Sequence, residues 1–173
     1  MTKFTQEQVD NLNSTIKTAD EALQWVSNNL HPKVAKASSF GAEDAVIMDI
    51  MLKINPNFRF FTLGTGRLPQ ETYDIMEIVE KKYNISVEVI LPDTKEVEEM
   101  VKEKGLDLFY ESVENRKLCC EIRKVHPMNK MLNTLDGWIT GLRRDQTKNR
   151  EDVTIFQLDH GHGGILKINP IVD

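Results

Sequence analysis

The chain has 173 residues, of which 28% are charged and 40% hydrophobic, so it is long enough for one α/β domain with its own core. Its formal charge is −5, which argues against nucleic-acid binding through a broad basic face and leaves room for a local basic pocket. The sequence contains neither the roughly 18-residue apolar run of a membrane span nor the apolar region of a signal peptide.

The hydrophobic pattern predicts that strands and helices alternate along most of the chain. Residues 9–30 have the spacing of an amphipathic helical region, and Thr18 to Glu21 fits a capping box that would begin a second helix there. The following elements are then predicted in chain order: strand 34–40, helix 43–54, strand 58–63, helix 69–83, strand 85–91 and helix 95–104. This alternation predicts an α/β fold with a parallel sheet flanked by helices. Such sheets bind ligands at the carboxyl ends of their strands.

Beyond Gly105 the pattern is less regular. Residues 106–118 are predicted to form a loop, and residues 119–132 a helix whose middle is weakened by Pro127. Strands are predicted at 137–142, 153–158 and 165–173. We interpret residues 1–32 as an N-terminal helical segment and residues 33–173 as an α/β domain. Because that domain ends on an apolar strand, we expect it to be incomplete at its C-terminus.

The segment Ser38 to Asp44 lies between a predicted strand and a predicted helix. Two hydroxyls, a glycine and a helix N-terminus together favour a cradle for an anion. The same residues also suit an ordinary N-cap with Ser39 as the capping residue. The residues alone leave both interpretations open.

Two later strand ends carry similar groups. Leu63 to Thr72 contains two glycines and Arg67; taken alone it is more typical of a plain strand-to-helix connection, but it lies on the same sheet edge as Ser38 to Asp44. Thr140 to Arg150 places three Arg and one Lys within eight residues, which predicts a focused anion site on an acidic protein. The alternative for this segment is a solvated charged run.

The only two cysteines are neighbours, Cys119 and Cys120, which is not a disulfide framework and predicts a cytoplasmic protein in a reducing compartment. Four surrounding cations would favour their thiolate forms, which serve as soft-metal or iron–sulfur ligands or as redox nucleophiles. The alternative is a pair of buried apolar cysteines. His160 to His162 is interpreted as a glycine turn rather than a metal site, and His126 as a surface or packing residue.

Taken in order, these segments resemble the thioredoxin-dependent assimilatory sulfonucleotide reductases, which reduce adenylyl sulfate or its 3′-phosphorylated form to sulfite. The family's Ser-Ser-Phe-Gly-Ala-Glu-Asp loop matches Ser38–Asp44, and its Leu-Asp-Thr-Gly-Arg-Leu element matches from Leu63, with Gly64 in place of Asp. Its Cys-Cys-x-x-Arg-Lys-x-x-Pro element matches Cys119–Pro127, and its Thr-Gly-x-Arg-x-x-Gln loop matches Thr140–Gln146.

The resemblance implies a nucleotide-binding domain of the adenine-nucleotide α-hydrolase (PP-loop) type over residues 33–173. It implies that three cations stabilise the phosphosulfate: Lys124, Arg143 and Arg144. It implies that the substrate is bound by Ser38, Ser39, Phe40, Gly41, Asp44, Leu63, Gly64, Thr65, Gly66, Arg67, Gly141, Gln146 and Arg150. It further implies that Cys119 and Cys120 are two of the four ligands of a [4Fe-4S] cluster. Thioredoxin or glutaredoxin would supply the electrons.

Two departures from the family pattern matter. Gly64 would loosen nucleotide contacts or remove a role of the family's carboxylate, and the family's second cysteine pair and nucleophilic cysteine have no counterpart in the 173 residues. We therefore expect a C-terminally truncated reductase that is inactive alone. The alternative is an adenine-nucleotide-binding module without redox activity; an ATP pyrophosphatase is disfavoured because its Ser-Gly-Gly-x-Asp-Ser loop is absent. A homo-oligomer is compatible with the sequence, and the choice between the two nucleotides stays open beyond the family's preference for the form without the 3′-phosphate.

Overall fold

The computed structural model describes residues 4–147 and 150–172. In that part of the chain the helices are α1 (Gln6–Thr15), α2 (Ala19–Asn29), α3 (Ala42–Ile54), α4 (Gln70–Tyr83), α5 (Thr94–Lys104), α6 (Val113–Cys120) and α7 (His126–Leu132). The strands are β1 (Val34–Ala37), β2 (Arg59–Leu63), β3 (Val87–Ile90), β4 (Gly137–Ile139), β5 (Phe156–Asp159) and β6 (Ile165–Ile168). The last predicted strand ends at Ile168, and Asp173 lies outside the described residues.

The six strands form one sheet in the order β3-β2-β1-β4-β6-β5. The predicted α/β architecture is confirmed, and the pairs β3–β2, β2–β1, β1–β4 and β4–β6 are parallel. Only the edge strand β5 differs from the parallel prediction, since it runs antiparallel to β6. The two strands are joined by the short turn at 160–164, and so short a connection permits antiparallel pairing only.

Both faces of the sheet carry core. On one face, the side chains of Phe60 and Ile139 pack with α2 and α3 through Leu23 and Met48. On the other face, a smaller cluster joins Ala35 and Phe61 to Met131 and Leu132 of α7. Burial on both faces explains why the central strands read as apolar runs rather than as alternating patterns.

The N-terminal helices share this core. Thr5 and Thr18 each make a capping box, so the predicted second helix does begin after Thr18. The side chain of Asn13 on α1 donates to the carbonyl of Phe156 at 2.8 Å and accepts from its N–H at 3.0 Å. Residues 1–32, as far as they are described, are thus anchored to the edge strand β5.

The loop predicted for residues 106–118 is wrong. A short 3-10 turn covers Leu108–Tyr110, and α6 begins after Ser112, whose hydroxyl accepts from the N–H of Asn115 at 3.0 Å. The N-cap stabilises a helix whose sequence has little apolar periodicity, which is why the periodicity missed it.

The helix predicted for residues 119–132 is confirmed, with an unexpected turn in it. Residues Glu121–Val125 form a π-helical turn between α6 and α7, and Pro127 follows at the start of α7. A proline is tolerated in the first turn of a helix, so Pro127 does not interrupt this helical segment. Isolated π-turns occur often at functional sites because they re-aim side chains.

Among the described residues, no helix is long and apolar enough to cross a membrane.

Candidate nucleotide-binding site

A cavity of about 850 Å³ lies at the carboxyl ends of β1, β2 and β4. This is where a parallel sheet is expected to bind a ligand, and the volume suits a molecule of nucleotide size. The predicted site residues on its wall are Ser38, Ser39, Gly41, Asp44, Leu63, Thr65, Lys124, Gly141, Gln146 and Arg150. The structure therefore brings together residues from four separate sequence segments.

The loop after β1 is held by its own polar groups. The N–H of Ser38 continues the sheet by donating to the carbonyl of Phe61 at 2.9 Å, and its hydroxyl accepts from the N–H of Phe40 at 3.1 Å. Phe40 adopts a left-handed conformation with φ of 63°, which turns the chain sharply towards α3. Phe40 itself packs against the core and does not line the cavity.

The start of α3 has no side-chain cap. The predicted cap was Ser39, whereas the N-cap position is occupied by Gly41, which has no side chain to offer. The helix N-terminus therefore faces the cavity at Gly41, and its first turn also brings the carboxylates of Glu43 and Asp44 to the cavity wall.

The carboxylate of Asp44 makes its hydrogen bonds to the loop after β1 and to Lys36. One carboxylate oxygen accepts from the N–H of Ser39 at 2.7 Å and from its hydroxyl at 3.1 Å. The other oxygen bonds the ammonium of Lys36, a side chain that is 0% exposed and also donates to the carbonyl of Ala37. Burial alone would raise the pKa of Asp44, but the attraction of Lys36 and these hydrogen bonds outweigh burial and lower that pKa below its usual value.

The turn after β2 is fixed from below by an arginine. Thr65 lies on the cavity wall, and its carbonyl accepts from the guanidinium of the buried Arg123 at 2.7 Å. Arg123 comes from the π-turn, so this bond joins the π-turn to the strand end. Its Nε is buried and has no partner among the described atoms.

Gly64, Gly66 and Arg67 lie off the cavity wall. A Cβ built on Gly64 would meet Val89 Cγ1 at 2.6 Å, so a side chain there would point towards β3. Arg67 pairs with Asp107 at 2.5 Å and lies over the ring of Phe109 at 4.9 Å. The structure thus places Arg67 as a tie between the β2 turn and the segment before α6.

The loop after β4 contributes Gly141, Gln146 and Arg150. Gly141 lies so close to α3 that a Cβ would be 3.1 Å from Asp44 Oδ1, which favours glycine at this position. The amide of Gln146 donates to Glu43 at 3.3 Å and accepts from the guanidinium of Arg150. Gln146 therefore orients Arg150 at the mouth of the cavity.

Arg143 and Arg144 do not line the cavity. Arg143 Nε lies 3.1 Å from Asp145 and 3.7 Å from Glu43, and Arg144 Nε donates to the carbonyl of Val153 at 2.8 Å. Of the predicted basic run, the structure brings only Arg150 to the wall; Lys148 lies outside the described residues.

The two cysteines also lie off the cavity wall. Cys119 is buried with Met100 and Leu108, whereas Cys120 is exposed. A [4Fe-4S] cluster takes four thiolates, the chain has two cysteines, and the described residues contain no group of three or more His, Cys, Asp or Glu placed to hold a metal. These residues do not complete a cluster site by themselves.

Sequence reasoning missed several wall residues. Trp138 and Lys167 line the cavity from the sheet, and Met128, Thr62 and Glu43 are also among the residues on its wall. Trp138 and Lys167 are cross-strand neighbours on β4 and β6. A lysine and a tryptophan inside short apolar strands were the available signal, but their pairing depends on a strand order that the sequence does not state.

Residues 33–173 match the protein family described as the phosphoadenosine phosphosulfate reductase domain. The chain is 37% identical to an adenosine 5′-phosphosulfate reductase of Allochromatium vinosum over 95% of its own length and 63% of that protein. It is 41% identical to the protein of the same name from Burkholderia cepacia over 83% of its own length and 57% of that protein.

The fold also matches a solved structure. The crystal structure of a phosphoadenylyl-sulfate reductase from Candida auris, in its phosphate complex, aligns with a TM-score of 0.82 and 26% identity. The alignment covers 99% of the present chain and 81% of that one.

Proposed function

Because the chain belongs to the phosphoadenosine phosphosulfate reductase domain family, we propose that its cavity binds adenylyl sulfate, or the 3′-phosphorylated form, for reduction to sulfite. The chain spans 57–63% of the length of the two bacterial relatives above, so the activity belongs to the proposal as well. One observation carries it: the ends of three parallel strands and the π-turn meet around a single cavity of about 850 Å³.

The wall offers two kinds of contact. The strand ends at Ser38, Ser39, Leu63 and Thr65 present hydroxyls and backbone groups, which suit the neutral adenosine part. Lys124 and Arg150 present cations, which suit the doubly anionic phosphosulfate. In this arrangement Arg123 supports the wall from behind, whereas Asp44 lies on the wall and holds Ser39 in place.

The proposed reaction begins with transfer of the sulfo group (SO3) from the phosphate oxygen to a cysteine sulfur. A cysteine thiolate attacks the sulfate sulfur, the bond from sulfur to the bridging oxygen breaks, and AMP leaves with that oxygen. One thiolate of a reduced thioredoxin or glutaredoxin then attacks the cysteine sulfur of this intermediate, the sulfur–sulfur bond breaks, and sulfite leaves. The second thiol of the donor attacks the resulting mixed disulfide and releases the cysteine thiolate, so the dithiol supplies the two electrons and ends as a disulfide. Lys124 and Arg150 stabilise the negative charge that develops on the leaving phosphate.

The nucleophile in this scheme is neither of the two cysteines of the chain. Cys119 is buried in an apolar cluster, and neither thiol lies on the wall of the cavity. We propose instead that Cys119 and Cys120 are ligands of an iron–sulfur cluster whose remaining thiolates come from outside the 173 residues. No step of the reaction is assigned to that cluster.

Calorimetry with adenylyl sulfate tests the binding part of the proposal. We expect saturable one-to-one binding that Lys124→Met weakens by about tenfold, as the loss of one close cation from an anion site should. Lys104→Met, which removes a lysine from the exposed end of α5, is the matched control and should bind as the unmodified chain does. If the unmodified chain does not bind adenylyl sulfate, or if both variants weaken the binding equally, the proposal is wrong.

A nucleotide-binding module without redox activity is the second candidate, because both cysteines lie away from the cavity. It predicts the same calorimetry but no sulfite release when a thiol reductant and the part of a longer bacterial relative that the chain does not cover are supplied.

A further inference from the structure

Lys167 is a cation of the cavity that the motifs do not account for. It lies on β6 and lines the cavity together with Lys124 and Arg150. Within residues 4–147 and 150–172, no carboxylate lies within ion-pair distance of the ammonium of either Lys167 or Lys124. Such unpaired cations on an acidic protein are the groups that a bound anion would neutralise.

The position of Lys167 is set by a neighbouring indole. Trp138 is its cross-strand partner on β4, and the Lys167 ammonium lies over the Trp138 ring, 5.3 Å from its centroid. A cation over an indole face is held by the ring quadrupole while its N–H groups stay free to donate elsewhere. Lys167 is thus oriented without its ammonium donating a hydrogen bond to any of the described residues.

The indole is itself fixed. Trp138 Nε1 donates to Asp159 at 3.0 Å, and His162 packs edge-on against the indole with ring centroids 5.9 Å apart. His162 Nδ1 lies 2.9 Å from the same carboxylate, at an ion-pair distance but without the angle of a hydrogen bond. Two groups of the β5–β6 hairpin, Asp159 and His162, therefore support the indole beneath Lys167.

The strand order places this indole at the far side from the serine loop. Lys167 on β6 lies two inter-strand spacings from β1, which is about 10 Å at the usual strand separation. Lys124 faces the same space from the π-turn, one turn before Met128, which packs against the same buried cluster as Trp138. A nucleotide whose adenosine lies at β1 and β2 would extend its 5′ end towards these two lysines.

We infer that Lys167, seated on Trp138, is a substrate-contacting residue that binds the 5′ phosphosulfate opposite Lys124. The inference rests on the proposed function and adds a contact that none of the four motifs contains. It also assigns a role to the His160–His162 turn, which closes the hairpin that supports the indole.

The test compares ligands that differ only at the 5′ end. In calorimetry, Lys167→Met should weaken adenylyl sulfate binding by about tenfold and leave adenosine binding unchanged, because only the former carries the anionic group. Lys167→Arg, which keeps the charge, should recover most of the loss. Trp138→Phe keeps an aromatic face but loses the bond to Asp159, and should cost less than Lys167→Met.

Lys104→Met is again the control for loss of one lysine charge, and circular dichroism checks that each variant is folded. Three results would overturn the inference: unchanged affinity of Lys167→Met for adenylyl sulfate, an equal loss with adenosine, or a loss seen only with the 3′-phosphorylated nucleotide. If the unmodified chain binds no adenylyl sulfate, the proposed function itself fails; if it does bind and Lys167→Met is unaffected, only the present inference fails.

Discussion

Lys36 and Asp44 are a buried ion pair beneath the serine loop. Lys36 is fully buried, and the carboxylate of Asp44 is shared between its ammonium and the N–H and hydroxyl of Ser39. Lys36→Met leaves Asp44 without its cation, and breaking a buried pair in this way costs about 3–5 kcal/mol. We expect a loss of this size in urea unfolding.

The double variant Lys36→Met/Asp44→Leu is the control, since replacing both charges removes the uncompensated one. It should recover much of the stability but not nucleotide binding, because Ser39 has then lost the acceptor that orients it. If the single and double variants are equally unstable, the pair does not have the structural role that its geometry indicates.

The lowered pKa of Asp44 gives the pair a pH dependence. A carboxyl whose pKa is lower in the folded state contributes stability above its unfolded pKa, and that contribution disappears as pH falls through the folded value. In Lys36→Met the attraction that lowers the pKa is gone while burial still raises it, so Asp44 no longer contributes to the loss of stability in acid, and the difference in unfolding midpoint between Lys36→Met and the unmodified chain should narrow as pH falls. Unfolding midpoints measured across the acid range check this narrowing.

A side chain at position 64 would be crowded by two neighbouring side chains, whereas the backbone angles there are open to any residue. A Cβ at this position would meet Val89 Cγ1 at 2.6 Å and Leu91 Cδ2 at 2.7 Å. Gly64→Ala should therefore destabilise the protein by about 1 kcal/mol, the low end of the usual cost of overpacking, because Val89 and Leu91 are 41% and 65% exposed and can shift. Gly41→Ala, whose Cβ would have no neighbour closer than 3.6 Å, should change stability little. Equal effects in thermal unfolding would contradict this prediction.

At the scale of elements, α6, the π-turn and α7 form one continuous helical segment that packs on β1 and β2. Arg123 of the π-turn holds the carbonyl of Thr65, Lys124 faces the cavity, and Met131 of α7 packs beneath β1 and β2. In the π-turn, Arg123 points to the turn after β2, whereas its neighbour Lys124 points into the cavity. One segment thereby fixes the wall and supplies a charge to it.

His126 links this helical segment to α5. Its Nδ1 lies 2.8 Å from Glu96, and this hydrogen bond, together with the attraction of Glu96 and Glu121, raises the pKa of His126. A raised histidine pKa contributes stability below its unfolded pKa of 6.5, and that stability is lost as pH rises through the folded value.

An NMR titration of the His126 ring measures this effect directly. Glu96→Gln should bring the pKa down towards its ordinary value, whereas Glu98→Gln on the same helix should leave it unchanged. An unaltered titration in Glu96→Gln would mean that the contact between α5 and α7 does not persist in solution.

At the scale of the whole molecule, the parallel strand order gathers distant segments at one edge. Ser38, Thr65, Gly141 and Lys167 are separated by up to 129 positions in the sequence, yet all line one cavity. Binding therefore requires the intact sheet, and the N-terminal helices contribute to it through the core that they share with β1, β2 and β5.

The proposed chemistry predicts that the 173-residue chain binds adenylyl sulfate but releases no sulfite with reduced thioredoxin. The reason is geometric, since neither cysteine lies on the cavity wall. Sulfite formation is compared with that of Cys119→Ser, and any release above this variant would contradict the prediction.

Iron content after anaerobic purification should be well below four atoms per chain, because two cysteines supply only half of the ligands of a [4Fe-4S] cluster.

Periodicity and caps in the sequence predicted most of the elements. The alternation of apolar strands and amphipathic helices was sufficient for β1 to α5, and Thr18 marked the start of α2. It was insufficient for α6, which depends on the Ser112 cap and on packing of Cys119 against Leu108. The motifs likewise indicated Ser38, Thr65, Gly141 and Arg150 because their chemistry is local to loops at strand ends.

The sequence by itself determined the fold class, the family and the loops that surround the cavity, since hydrophobic period and short motifs are properties of neighbouring residues. Only the tertiary structure decided which charges are available to a ligand. It paired Asp44 with Lys36, tied Arg67 to Asp107 and Arg144 to Val153, and placed Lys167 on Trp138 at the cavity wall. Whether a charged side chain is paired depends on neighbours that the strand order brings from distant parts of the chain. No single sequence segment determines that order.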